Sequence, residues 1–255
     1  MRIASWNVNS LRVRLPQVLD WLARNQPDLL ALQETKLVDA DFPAAELAAA
    51  GYHCLYSGQK TYNGVAILSK LPGTGVLTDL PDLDDPQRRI LAAGFGDIRL
   101  VNIYVPNGSE TGSGKYAYKL DWLSKVTAFL KAEIARYPQL AVLGDFNIAP
   151  DDRDVYDPAA WHENILCSTP ERQAFQGLLA VGLQDSFRLF EQPAACFSWW
   201  DYRAAGFRRN LGLRIDHVLL SEPLALRCTA AGIDKTPRAW ERPSDHAPVV
   251  AELSG

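Results

Sequence analysis

The sequence predicts an α/β fold in which two packed β-sheets carry helices on their outer faces. Three observations predict it. Short apolar runs of strand length recur along the chain, amphipathic helical patterns lie between them, and no Gly/Ser linker, low-complexity tract or charge block interrupts the series. Many short strands with a few helices bury their apolar faces as stacked sheets under an outer helical layer. With 255 residues, 47% of them hydrophobic, the chain can build one large core, and a single unit spanning 1–255 is expected.

The elements follow in order. "RIASWNV" reads as a strand, and Leu15, Val18, Leu19 and Leu22 recur at helical spacing behind Pro16, a residue suited to the first turn of a helix. "DLLALQET", "GVAILS", "RILAAGF" and "IRLVNIYV" read as strands, the last two joined by a tight Gly96-Asp97 turn. Tyr116 to Tyr137 reads as the longest helix, with Leu120, Leu123, Thr127, Leu130 and Ile134 on one face and Pro138 ending it. The strand "LAVLGDFN" follows. Thr169-Pro170-Glu171 reads as a helix start with Thr169 as N-cap, and the last third returns to strands at "CFSWW", "LRIDHVLLS", "LRCTAAGI" and "APVVAEL".

Composition excludes several classes. No apolar stretch approaches the ~20 residues of a membrane span, and "MRIASWNV" enters a strand at once, without a signal peptide. Cys54, Cys167, Cys196 and Cys228 lack the paired spacing of a zinc site, so free thiols in a reducing cytoplasm are expected. The net charge of -4 leaves any polyanion to be bound by local basic patches or a metal.

The strand ends carry the chemistry. Asn7 and Asn9, Gln33 and Glu34, Tyr104 and Asn107, Asp145 and Asn147 each close an apolar run; Asp216 lies inside one, and Asp245-His246 stand just before another. One polar strand end is a turn, whereas six rich in Asp, Glu, Asn and His imply a shared site at the sandwich edge. If "LGDFN" stays extended, Asp145 and Asn147 point to the same face. Asp216, with Ile215 and Val218-Leu219-Leu220 around it, needs a cation, a metal or donor groups; a bridge to Arg214 or a strand bulge is the purely structural alternative. Oxygen donors without thiols suit Mg²⁺ or Mn²⁺, with Glu34 the best ligand, supported by Asn7 or Asp216. His246 is either held by Asp216 or meets a substrate anion itself.

"WNVNSLR", "LQETK", "NGVAILS", "YVPNG", "LGDFNIAP", "FSWWDYR", "GLRIDHVLLS" and "PSDHAPV" resemble, in order and spacing, the exonuclease III-type abasic-site endonucleases of the endonuclease/exonuclease/phosphatase superfamily. The resemblance runs from residue 2 to about residue 252 and implies a four-layer α/β sandwich, two packed mixed β-sheets flanked by helices. It implies a monomeric Mg²⁺- or Mn²⁺-dependent enzyme that cuts duplex DNA 5′ to abasic sites, leaving a 3′ hydroxyl, with some 3′-5′ exonuclease activity; a dedicated 3′-end trimming enzyme is the alternative. By resemblance Glu34 is the main metal ligand with Asn7 beside it, and Asp245 is a second metal-site carboxylate. Asp145 orients or deprotonates the attacking water, Asn147 and Tyr104 contact phosphate, and Asp216 holds His246 next to the scissile phosphate.

Arg88, Arg89, Lys115, Lys119, Arg203, Arg208 and Arg209 lie in basic loops and are candidate phosphate clamps for DNA. Trp199 and Trp200 face opposite ways if extended, so one reaches the rim. The resemblance makes it Trp199, which with Leu213 forms an apolar pocket for a flipped abasic sugar. A non-catalytic DNA-binding protein is the competing class, and it is disfavoured because Glu34, Asp145, Asp216 and His246 are all present.

Overall fold

In the computed structural model, which describes residues 1–81 and 83–255, the apolar runs form strands. The first half of the chain runs β1 (Arg2–Asn7), α1 (Leu11–Asn25), β2 (Leu29–Gln33), α2 (Ala44–Ala49), β3 (His53–Ser57), β4 (Val65–Ser69), β5 (Thr74–Leu77), β6 (Ile90–Phe95), β7 (Ile98–Tyr104) and α3 (Gly114–Arg136). The second half runs β8 (Leu140–Asp145), α4 (Pro158–Trp161), α5 (Thr169–Ala180), β9 (Leu183–Asp185), β10 (Trp199–Trp200), β11 (Gly212–Leu213), β12 (Asp216–Ser221), α6 (Glu222–Arg227), β13 (Cys228–Ile233) and β14 (Val249–Leu253).

Two six-stranded sheets result, ordered β13-β14-β1-β2-β4-β3 and β5-β6-β7-β8-β12-β9. Each is mixed: β1 and β2 are parallel, as are β7 and β8, and the remaining neighbours are antiparallel. Side-chain alternation builds the layers. Ile3, Leu29, Ala31, Val65 and Ile67 of the first sheet pack on Leu91, Leu100, Ala141, Leu143 and Val218 of the second. Ala4, Trp6, Leu30 and Leu32 turn outward onto Val18, Trp21 and Leu22 of α1. Val101, Ile103, Val142 and Leu219 turn outward onto Trp122, Leu123, Phe175 and Leu178 of α3 and α5. The four-layer α/β sandwich expected from the sequence is therefore present. No helix among the described residues is long and apolar enough to cross a membrane.

A buried polar bridge fixes the two sheets to each other. Asn102 on β7 donates to the carbonyls of Leu32 (3.0 Å) and Ala66 (2.8 Å) in the opposite sheet, and Gln33 Nε2 donates to Asn102 Oδ1 at 2.8 Å. Buried amides need such partners, and these allow only one offset between the sheets.

Gly144 on β8 permits a close approach just before Asp145. A Cβ there would lie 1.8 Å from the Ile103 carbonyl oxygen of β7. Gly144→Ala is expected to lower the unfolding free energy by roughly 3 kcal/mol or more. Chemical denaturation measures this, and an unchanged midpoint would contradict the backbone placement.

Several local expectations change. Pro16 lies inside α1, which starts at Leu11, so it is not an early-turn residue. The buried face of α3 is Lys119, Trp122, Leu123, Val126, Phe129, Leu130 and Glu133, rotated from the expected stripe because two charged residues on it are neutralised internally. Helix α5 is capped by Ser168 rather than Thr169: Glu171 Oε2 accepts from the Ser168 backbone N–H at 3.1 Å. Strand β12 starts at Asp216, and Leu226-Arg227 belong to α6 rather than to a strand. All four cysteines are unpaired.

Candidate active site

Asp145 ends β8 and pairs in register with Asp216, which opens β12. Residues opposite each other in an antiparallel ladder share a face, and two bare carboxylates there would repel. His246 resolves this. Its Nδ1 contacts Asp216 Oδ2 at 2.9 Å, and its Nε2 lies 3.8 Å from Asp145 Oδ2. All three are almost fully buried. Burial disfavours an imidazolium, but the carboxylates of Asp216 and Asp145 outweigh it and push the His246 pKa up to about 10. Burial also pushes the Asp145 carboxyl up, against the pull of His246, to about 7.

Asp145 and Asn147 do converge, by a different route from the one expected. The strand stops at Asp145, and Asn147 takes a left-handed backbone conformation, φ 50°. Its N–H donates to Asp145 Oδ1 at 2.9 Å, a turn closed by the aspartate itself. The Asn147 side chain then donates to the Val105 carbonyl (3.0 Å) and accepts from Asn107 Nδ2 (3.1 Å).

Glu34 follows β2 and also has positive φ. Its Oε1 accepts from Asn7 Nδ2 and from the Tyr104 hydroxyl, both at 2.9 Å, and its Oε2 pairs with Lys36 Nζ at 2.8 Å. Burial raises the Glu34 pKa, but Lys36 and the Asn7 hydrogen bond bring it below the usual carboxylate value. Asn7 Nδ2 also donates to Asp145 Oδ2 at 2.9 Å, while its Oδ1 accepts from the Asn9 N–H. As placed, Asn7 bridges Glu34 and Asp145 through its amide nitrogen. Asp245 stands apart from that trio: it accepts from Asn9 Nδ2 (2.9 Å) and Trp199 Nε1 (3.0 Å).

Four residues with a place in the site were missed. Ser198 Oγ donates to Asp216 Oδ2 at 2.7 Å, and Ser244 Oγ donates to the Asn7 carbonyl while accepting from the His246 N–H. Lys36 neutralises Glu34, and Arg238 stacks on Trp200, Tyr202 and Phe207 beside the Ser244 turn. The signal for Ser198 was available: a serine between Phe197 and Trp199 in a buried strand needs a polar partner.

The basic residues divide. Lys115, Arg203, Arg208 and Arg209 are exposed, and Arg88 is paired with Asp79. Arg89 is largely buried, its guanidinium 4.8 Å from the Tyr104 ring centre and its Nε 3.0 Å from Gln87 Oε1, so it supports Tyr104 more than it reaches outward. It still lines, with Tyr104, Asn107 and Lys115, a cleft of about 370 Å³ that is joined to the carboxylates through Tyr104, whose hydroxyl donates to Glu34. Lys119 is fully buried and paired with Glu171; its expected role as a phosphate clamp is wrong, because its ammonium never reaches solvent. Trp200 is completely buried with Phe197 and Ala247, and Trp199 is half-buried. Leu213 is also completely buried, behind Trp199 in the β10–β11 ribbon, so it backs the tryptophan instead of lining an open recess.

Buried carboxylates around an imidazole, with amides and a phenol at hand, form a site equipped for acid–base and metal-assisted hydrolysis. Residues 4–246 match the family model described as "Endonuclease/Exonuclease/phosphatase family". The chain belongs to that family and, within it, to the exodeoxyribonuclease III-type DNA repair nucleases. It is 39% identical to the exodeoxyribonuclease III of Haemophilus influenzae over 99% of this chain and 100% of that protein. Its fold superposes on the 3′-5′ exonuclease NExo of Neisseria meningitidis with TM-score 0.98 and 53% identity, and on an AP endonuclease from Archaeoglobus fulgidus with TM-score 0.96 and 38% identity, each covering 100% of both chains.

The family is one of divalent-metal nucleases. The site fits such an ion: Glu34, Asp145 and His246 offer atoms within 4.8 Å of one another, and the oxygen donors suit a hard cation.

Proposed function

We propose that residues 1–255 act as one catalytic domain, a monomeric Mg²⁺- or Mn²⁺-dependent phosphodiesterase of DNA base excision repair. It cuts 5′ to abasic sites in duplex DNA and trims 3′ ends with the same residues. The free cysteines suit a reducing compartment, and cytoplasmic placement is part of the proposal. The observation that carries the reading is the convergence of Glu34, Asp145 and His246, joined through Tyr104 to the cleft lined by Arg89, Asn107 and Lys115. Glu34, with Asp145 next to it, would hold the ion, and Asp245 would add negative charge nearby. When bound, the ion screens the phosphodiester, stabilises the leaving alkoxide and acidifies water from a pKa of about 15.7 toward ~7.

The chain's own residues supply the rest. Asp145, restrained by Asn7 and the Asn147 N–H, orients the attacking water and takes its proton. His246, held by Asp216, presents Nε2 to a non-bridging phosphate oxygen, and Asn147 and Tyr104 complete that cradle. Lys115 and Arg203, Arg208 and Arg209 contact the DNA backbone.

A second reading, a 3′-end enzyme with little internal cleavage, is favoured by one observation. NExo, at 52–53% identity over the whole chain, is described as a 3′-5′ exonuclease and, bound to a product DNA hairpin, as a 3′ phosphatase. Cleavage of abasic, intact and recessed-3′ duplexes by the parent and by Trp199→Ala separates the readings. Trp199 supplies the exposed apolar face, and flipping is easiest where no base is unstacked. Trp199→Ala should therefore reduce the preference for abasic over intact duplex about tenfold while slowing 3′-end trimming less. A parent that trims recessed ends and leaves abasic duplex whole establishes the second reading; Trp199→Ala cutting all three like the parent removes the pocket from Trp199.

A further inference from the structure

Lys119 is fully buried on α3, yet its ammonium spends every donor behind the phosphate cradle. Nζ donates to the Asn147 carbonyl at 2.7 Å, to the Asn107 carbonyl at 3.1 Å and to Glu171 Oε1. Glu171, also fully buried, is itself fixed: its Oε1 accepts from the Leu166 N–H (3.1 Å), and its Oε2 accepts from the Ser168 N–H (3.1 Å) and hydroxyl (2.6 Å). Asn107 and Asn147 are already joined through their side chains at 3.1 Å. Lys119 thus grips, from inside, the backbone of Asn107, which lines the cleft, and that of the buried Asn147 beside Asp145, and ties both to the start of α5.

We propose that Lys119 is a positioning residue for the cleavage reaction, with Glu171 as its anchor: it holds the Asn147 and Asn107 loops so that the Asn147 amide meets the phosphate in register. An ammonium suits the task because it offers three donors to three acceptors, and the bonds to the Asn147 carbonyl and to Glu171 are buried. Asn147 has a left-handed backbone that is held at the N–H by Asp145 Oδ1 and at the side chain by the Val105 carbonyl, and Lys119 is the group that holds its carbonyl. The proposal rests on the reading of Asn147 as a phosphate contact.

The test is a double-mutant cycle with Lys119→Met, Asn147→Ala and the double variant, on whichever duplex the parent cuts. Lys119→Met keeps an unbranched apolar stem one atom shorter and loses the donors. Its kcat should fall about 10- to 100-fold, as expected for a misplaced contact group, with KM for DNA unchanged. In the Asn147→Ala background the same substitution should cost less than about threefold. Losses that multiply in the double variant overturn the clamp while leaving the role of Asn147 intact. An Asn147→Ala protein with parental kcat overturns both. If Lys119→Met does not fold at the assay temperature, Glu171→Gln replaces it in the cycle, removing the anchor's charge at nearly constant volume, and the same two patterns decide.

Discussion

Asp145→Asn is expected to lower turnover on the order of 10²-fold or more while binding duplex DNA about as well as the parent. The change is nearly isosteric but cannot reproduce the hydrogen bonding. Oδ1 now accepts from the Asn147 N–H and Oδ2 from Asn7 Nδ2, each at 2.9 Å, and an amide has only one oxygen for two such donors. It also lacks the basicity to take a proton from water. The pH dependence of stability should change as well. Burial holds the Asp145 carboxyl above its unfolded value, so its ionisation in the folded state opposes folding as pH rises through that interval to about 7. Asparagine has no charge to bury, so between about pH 4 and pH 7 the melting temperature of the variant should fall less with rising pH than that of the parent. Single-turnover cleavage at saturating DNA, with binding and melting measured separately, checks all three. Collapsed affinity with unchanged saturated turnover would move Asp145 out of the chemical step.

The site could be located from sequence better than it could be assembled. Buried strands announce themselves as apolar runs, and a carboxylate such as Asp216 among Ile215 and Val218 is conspicuous because it needs a partner. The partner is not conspicuous. His246 is 30 residues away, and only the pairing of β8 with β12 shows that it separates two opposed aspartates. Parity along "FSWW" set the two tryptophans on opposite faces, and the family resemblance chose Trp199 as the less buried one. The strand itself, only two residues long, offers no periodicity of its own.

The errors share a physical cause. Lys119 and Glu133 look like surface charges in a helical pattern, and each is buried because an opposite charge waits in another element, Glu171 or Arg99. That is invisible to periodicity, and it rotated the predicted face of α3. Asn147 was paired with Asp145 by the rule for extended chains, whereas the chain turns and a hydrogen bond to Asp145 brings them together.

Glu34→Ala tests the metal directly. Three groups converge on the Glu34 carboxylate: Asn7 and the Tyr104 hydroxyl at Oε1, and Lys36 at Oε2. Removing it leaves the Lys36 ammonium and two donors facing Asp145 and His246, so the rim loses a negative charge where a cation would sit. At limiting Mg²⁺ the variant should lose on the order of 10²-fold in turnover, and its Mg²⁺ titration midpoint should rise at least about tenfold. High Mg²⁺ should restore part of the activity, since Asp145 still offers an oxygen. Glu34→Gln separates charge from packing: an amide of the same length can still accept from Asn7 and Tyr104, so melting should stay near the parent value while the titration midpoint rises as in the alanine variant. Calorimetric Mg²⁺ titration of the protein without DNA gives a readout independent of cleavage. An unshifted midpoint in both variants, or full parental activity in excess chelator, would take the cation away from Glu34.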